Sequence, residues 1–154
     1  MASFLVVAGE ASGDLHASHV VRELRARRPD LHVAGMAGDA CAAEGMDVLV
    51  HCRDLAVMGF TEVVGSLGRI REAARTLLAW VDRHRPAAAM LVDYAGFNLR
   101  LAAELKKRGI KVLYFISPKV WVWGRRRIPT MRALIDRLFV IFPFEVEFFA
   151  RHGI

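Results

Sequence analysis

The stretch FLVVAGEASGDLHASHVVRELRARRP, residues 4–29, decides the fold. It opens with five apolar residues in succession at 4–8, the pattern of a strand covered on both faces rather than one with a wet side. Gly9 and Gly13 bracket a small turn. From Asp14 onward Ala17, Val20, Val21 and Leu24 fall at i, i+3, i+4 and i+7, one face of a helix. Ser12 reads as its N-cap, Asp14 stands in the first turn where the helix dipole favours a negative charge, Arg27 and Arg28 stand at the other end, and Pro29 closes it. A buried strand turning directly into an amphipathic helix is half of a βαβ unit, and it predicts a parallel sheet.

The rest of the chain repeats that unit. Further strands are expected at 31–34, 47–50, 87–92, 111–116 and 137–141. The clearest helix carries Ile70, Ala73, Ala74, Leu77, Leu78 and Val81 on one stripe, opposed by Arg71, Glu72, Arg75 and Asp82 and stopped by Pro86. A helix over about 99–108 ends on Lys106, Lys107 and Arg108 with Gly109 behind them, and two more are expected at 128–135 and 144–152. A length of 154 residues suits one domain. The expectation is therefore a single α/β domain over 1–154: a Rossmann-like parallel sheet with helices on both faces. Residues 151–154 read as a helix end running toward a further strand, so the domain is expected to be one half of something larger.

Composition narrows the function classes. An apolar share of 55% with 25% charged residues excludes disorder. No apolar run reaches the ~18–20 residues of a spanning helix, so a protein in solution or lying on a membrane is expected. The first residues lack the basic flank of a signal peptide, which points to the cytoplasm. A formal charge of +6 favours anionic partners without choosing among them. Nucleic acid is set aside because basic and aromatic residues do not interleave as in an RNA-binding sheet. Cys41 and Cys52 form no CxxC pattern and read as reduced thiols. His16 and His19 share a helix at i, i+3, but no carboxylate or cysteine completes a ligand set, so neither metal nor cofactor is expected.

Ligands of open α/β sheets bind beyond the carboxyl ends of the strands, and three such segments carry chemistry. After the first strand come Glu10, Ser12, Gly13 and Asp14. The helix start offers N–H groups to an anion or a sugar hydroxyl, but the spacing is G-x-x-x-G, not G-x-G-x-x-G, and the two acids would repel a pyrophosphate; the alternative is a plain βα turn. After the fourth strand comes Asp93, with Asn98 placed to cap the next helix. Asp93 is positioned as a general base toward a hydroxyl, or else accepts amides within the turn. After the fifth come Ser117, Pro118, Trp121, Trp123 and a triple arginine ending at Arg127. This edge suits a ligand with apolar and anionic parts, or is a buried tryptophan pair followed by a solvated charge run. Segments 57–64, with Met58, and 141–149 hold more large apolar residues than a short helix can bury. Acyl or membrane contact and burial against a second domain explain that excess equally well.

Taken together, AGEASGD at 8–14, LAVMGFTEV at 55–63, DYAGFN at 93–98, SPKVWVW at 117–123 and FPFE at 142–145 resemble the lipid-A-disaccharide synthase family, in the same order and along nearly the whole chain. The resemblance implies one half of a GT-B glycosyltransferase, in which two Rossmann-like domains face a cleft. The family is inverting: it joins UDP-2,3-diacylglucosamine to the 6-hydroxyl of 2,3-diacylglucosamine 1-phosphate through a β-1,6 linkage and releases UDP. It implies Asp93 as the base on the acceptor hydroxyl. It further implies Glu10, Ser12, Gly13 and Asp14 as the acceptor-side loop, and Ser117, Pro118, Trp121, Trp123 and Arg127 as lining of the cleft. Met58, Gly59 and Phe60 fall in the segment the family associates with membrane and acyl contact. The uridine nucleotide belongs to a C-terminal domain absent from this chain, and the anionic inner-membrane surface is an expected peripheral partner.

Three positions depart from the family. Gly96 stands where some relatives carry a second aspartate, so Asp93 would act alone. Ala95 replaces a common proline, and Gly124 an arginine of some relatives, which shifts attention to 125–127. Two rivals accompany the transferase reading: a non-catalytic lipid-binding or docking module needing a separate donor-binding partner, and a nucleotide-sugar epimerase of related architecture.

Overall fold

The computed structural model describes residues 2–56, 63–122 and 124–154, with side chains at 2–55, 67–122 and 124–154. Among the described residues six strands alternate with helices: β1 Ser3–Ala8, α1 Ala11–Arg27, β2 His32–Ala37, α2 Asp39–Ala43, β3 Asp47–His51, α3 Arg53–Ala56, α4 Val63–His84, β4 Ala88–Val92, α5 Ala95–Lys107, β5 Lys111–Phe115, α6 Ile128–Leu134, β6 Arg137–Phe139 and α7 Pro143–Arg151. They form one sheet in the order β3-β2-β1-β4-β5-β6, every pairing parallel.

The continuous apolar strands explain the layering. Along β1, Leu5 and Val7 pack with Leu77 and Val81 of α4 and with α5, while Val6 and Ala8 pack with Ala17 and Val21 of α1 on the other face. Every one of these side chains is removed from solvent, as a sheet with helices on both faces requires. The chain first walks outward from β1 to β3. The long helix α4 then carries it back to β4, on the opposite side of β1. The strand order reverses there, which makes the loops after β1 and β4 the topological switch point on the carboxyl edge, where ligands of such sheets bind.

Local departures from the sequence expectation have physical causes. β2 runs three residues further than 31–34, through Gly35, whose φ is +148°. A Cβ there would lie 2.0 Å from the Val6 carbonyl oxygen, so glycine permits the close approach of β2 to β1 where the register to β3 shifts. α2 and α3, five and four residues long, are too short for any periodicity to announce them. β6 stops at Phe139 rather than 141, because the amides of Ile141 and Phe142 turn to a side chain. Cys41 and Cys52 are both buried and free. Among the described residues no helix is long and apolar enough to cross a membrane, and no cluster of His, Cys, Asp and Glu could hold a metal ion.

Candidate active site

The carboxyl ends of β4 and β5 carry the most unusual backbone of the molecule. Asp93 and Tyr94 are left-handed in succession, with φ of +46° and +45°, and Ile116 after β5 has φ of +64°. Aspartate tolerates that region better than most residues, but a β-branched isoleucine is a true outlier there. Such residues cost about 1–3 kcal/mol each and persist where neighbours over-determine them. Those neighbours are identifiable. The Asp93 amide donates to the Phe115 carbonyl at 2.9 Å and the Ile116 amide to Phe139 at 3.0 Å. The Asp93 carbonyl accepts from the Tyr114 hydroxyl at 2.5 Å and from Asn98 Nδ2 at 2.8 Å. The fourth non-glycine residue with positive φ among the described residues, Arg85, directly follows α4.

That clamp corrects the reading of Asn98. The left-handed pair turns the chain so sharply that α5 begins at Ala95, and Asn98 lies inside it, fully buried. Instead of capping the helix N-terminus it reaches back with Nδ2 to the carbonyls of Val92 and Asp93. Asp93 is thus held by its main chain, and its half-buried carboxylate has no hydrogen-bond or ion-pair partner among the described residues.

Asp93 lines a cleft of about 280 Å³ together with Ala95, Ile116, Ser117, Pro118, Lys119, Trp121, Arg127, Ile141, Phe142 and Glu145. Of the residues expected from sequence, Asp93, Ser117, Pro118, Trp121 and Arg127 therefore meet at one place. Trp121 is half-buried and meets Phe144 edge-on at 5.3 Å, with Phe148 and Phe149 of α7 each at 6.4 Å. Arg127 closes an exposed 3₁₀ turn, Arg125–Arg127, and lies at the mouth with Lys119. Under the floor, burial pushes the Tyr114 hydroxyl far above its ordinary range. The negative charge of Asp93 adds to the shift and Arg127 opposes it. Tyr114 is therefore a neutral donor that clamps the turn.

The loop after β1 stands beside this cleft and does not line it. α1 begins at Ala11, so Ser12 is an exposed first-turn residue rather than the N-cap; Glu10 occupies that position and makes no side-chain capping bond. The two residues Gly9 and Glu10 suffice to clear the sheet, leaving no room for a later start. Gly13 is buried against Ala8 and Val92. Asp14 is buried as well, and its carboxylate accepts the amides of Ala40 at 3.0 Å and Cys41 at 3.1 Å. It caps α2, not its own helix.

The two loops touch through Tyr94, whose ring lies over Gly9. A Cβ at Gly9 would fall 2.2 Å from the ring. Gly9→Ala is expected to displace the ring and cost about 1–3 kcal/mol, the usual penalty of overpacking. Urea unfolding checks this, and an unchanged midpoint would show that the ring moves freely. Tyr94 is held in place by Gly9 on one side and Phe97 at 6.0 Å on the other. Burial raises the Tyr94 hydroxyl, and the nearby charge of Glu10 raises it further.

Met58 and Trp123, expected site residues, lie outside the described residues, as do Gly59 and Phe60. In the second apolar segment, Ile141, Phe142, Phe144 and Val146 are exposed and Phe149 is buried, with exposed Val122 nearby in sequence to Trp121. The sequence reading missed Glu145, Tyr94 and Lys119. FPFE had marked the neighbourhood of Glu145, but nothing local signalled that this carboxylate would be completely buried.

A family model described as Lipid-A-disaccharide synthetase matches residues 4–154. A lipid-A-disaccharide synthase of Myxococcus xanthus (strain DK1622) is 47% identical over 150 residues, 97% of this chain and 39% of the relative. That of Solibacter usitatus (strain Ellin6076) is 46% identical over 154 residues, all of this chain and 40% of the relative. The chain thus spans about 40% of the length of these relatives. Among solved structures, MurG of Acinetobacter baumannii superposes with a TM-score of 0.59 over 94% of this chain and 42% of that one, at 10% identity, which is a likeness of fold. With the match running from β1 to the last residue, the chain belongs to the lipid-A-disaccharide synthetase family.

Proposed function

We propose that this chain is the N-terminal, acceptor-side half of a two-domain GT-B glycosyltransferase. The enzyme joins UDP-2,3-diacylglucosamine to 2,3-diacylglucosamine 1-phosphate and releases UDP. The observation that carries the reading is Asp93, a lining residue of a cleft at the carboxyl edge of the sheet, with its main chain clamped from two sides and its carboxylate without a partner among the described residues. A carboxylate so placed takes the proton of the acceptor 6-hydroxyl as that oxygen attacks the anomeric carbon. The carbon–oxygen bond to UDP breaks on the opposite face, so a single displacement inverts the centre. Arg127 and Lys119 at the mouth complement the acceptor 1-phosphate, Arg as a fork and Lys as a point charge. A C-terminal domain beyond this chain supplies the uridine nucleotide site and the far wall of the cleft.

The exposed side chains of Ile141, Phe142, Phe144 and Val146, next to the arginine turn, support acyl contact and peripheral attachment to the anionic inner membrane on its cytoplasmic side. The chain is expected to co-sediment with anionic vesicles. Phe144→Ser with Val146→Ser is expected to weaken this at least tenfold, since each apolar side chain is worth about 1.5–3 kcal/mol when fully covered and even half of that for the pair exceeds the ~1.4 kcal/mol of a factor of ten. Equal sedimentation of wild type and double variant would remove α7 from the membrane contact. A coupled UDP-release assay tests the reaction itself: turnover is expected from the full-length protein and not from the 154-residue chain alone. Absence of turnover with both substrates in the full-length protein overturns the assignment.

A further inference from the structure

The glutamate of FPFE has no part in the chemistry above, and among the described residues it is the most completely buried acid. Glu145 is fully buried in the first turn of α7. One carboxylate oxygen accepts the hydroxyl of Ser117, and the other accepts the amides of Ile141 at 3.1 Å and Phe142 at 2.8 Å. The second pair is an ordinary helix-start arrangement, which needs only that half of the carboxylate. The first bond is not local: Ser117 lies 28 residues earlier, on the segment that leaves β5.

Those partners belong to two segments that line one cleft: Ser117, Pro118 and Lys119 leave β5, and Ile141 and Phe142 lead into α7. Directly before Ser117 stands Ile116 with its left-handed backbone, a conformation that relaxes unless something beyond it is held. Trp121, packed edge-on against Phe144, gives the same segment a second anchor on α7.

We propose that Glu145 is a positioning residue that sets the width of the cleft by tying Ser117 to the Ile141–Phe142 corner, and thereby governs acceptor binding at Asp93. Its kinetic consequence rests on the acceptor reading given above. The tie itself does not.

The test uses the full-length protein. Glu145→Ala is expected to raise the acceptor KM at least tenfold while kcat and the donor KM change less than threefold. Amide exchange over 117–122 is expected to speed at least tenfold, with β1 and β4 still protected. Glu145→Gln, whose amide oxygen still accepts from 141 and 142 and whose nitrogen donates to Ser117 Oγ, is expected to restore most of both. Ser117→Ala alone is expected to raise the acceptor KM, yet to add nothing on top of Glu145→Ala, because the tie is already cut.

An acceptor KM within twofold of wild type in Glu145→Ala overturns the proposal, leaving only a helix cap that matters for stability. So does a full additional effect of Ser117→Ala in the double variant, which would mean that Ser117 meets the acceptor by itself. If Glu145→Ala fails to fold, Glu145→Gln and Ser117→Ala decide alone: the proposal expects a near-normal KM from the first and a raised one from the second, and the reverse overturns it. If wild type releases no UDP, the proposed reaction falls and exchange judges the tie. Unchanged exchange over 117–122 in the Glu145 variant, or in Ser117→Ala, then overturns it.

Discussion

Asp93→Asn in the full-length protein is expected to lower kcat at least ~10²-fold, the lower end of what a positioned general base contributes. The acceptor KM is expected to stay within about twofold, because the interaction removed is realised only as the proton leaves. Asparagine is the right probe for a backbone reason. Residue 93 sits at φ +46°, and asparagine tolerates that region as well as aspartate does. The clamp acts on the Asp93 carbonyl through Asn98 and Tyr114, so it survives the change of side chain. Asp93→Ala would confound lost chemistry with a strained turn. Near-normal UDP release by Asp93→Asn, in protein with an unchanged urea midpoint, removes this carboxylate from the mechanism. A large rise in acceptor KM at normal kcat would make Asp93 a binding group instead.

The clamp has a weaker signature of its own. Because Asn98 is buried and spends both donor contacts on carbonyls of 92 and 93, its loss acts on the shape of the turn rather than on chemistry. This separates side chains that line the cleft from those that hold them in place. Ser117 is tied to Glu145 and Tyr114 to the turn. Asp93, Lys119 and Arg127 are the charged lining residues of the cleft whose side chains have no hydrogen-bond or ion-pair partner among the described residues, beside the apolar Pro118, Trp121, Ile141 and Phe142.

The strands were legible because they are buried on both faces, and 4–8, 87–92 and 111–116 lie within a residue of β1, β4 and β5. The edge that carries the cleft followed from them, since strand ends in such a sheet point to one edge. Helix starts were not legible. Reading Ser12 and Asn98 as caps assumed that a polar side chain announces the first turn, whereas here a Gly-Glu turn and a left-handed pair begin α1 and α5 sooner. Hidden altogether were bonds between distant segments, such as Ser117 to Glu145 and Cys41 to Asp14, 28 and 27 residues apart. Periodicity reports which face of an element is buried, and is silent on which carboxylate a distant amide will find.

Asp14 is the second place where such a bond carries a large effect. Asp14→Ala is expected to destabilise the chain by about 2–3 kcal/mol, because the amides of Ala40 and Cys41 lose their acceptor while partly or wholly buried. For a chain of this size that is about 5–10 °C in Tm. Burial by itself would raise the Asp14 carboxyl. The hydrogen bonds from the Cys41 side chain and from the backbone of Gly38, Cys41 and Ala40 outweigh it, so the group sits below its ordinary value of 3.8. A depressed carboxyl contributes fully above its unfolded value, and the contribution is lost as pH falls through the lower folded value. The stability gap between wild type and Asp14→Asn is therefore expected to be constant from neutral pH down to about pH 5, and to narrow below about pH 4. Urea titrations of both proteins across that range check it. A gap that stays constant in acid would show that the carboxylate's charge contributes nothing and that any acceptor of the same shape serves α2 equally well. The same geometry predicts that Asp14→Asn disturbs acceptor kinetics only as far as it loosens α2, since the carboxylate is occupied at the start of that helix and does not line the cleft.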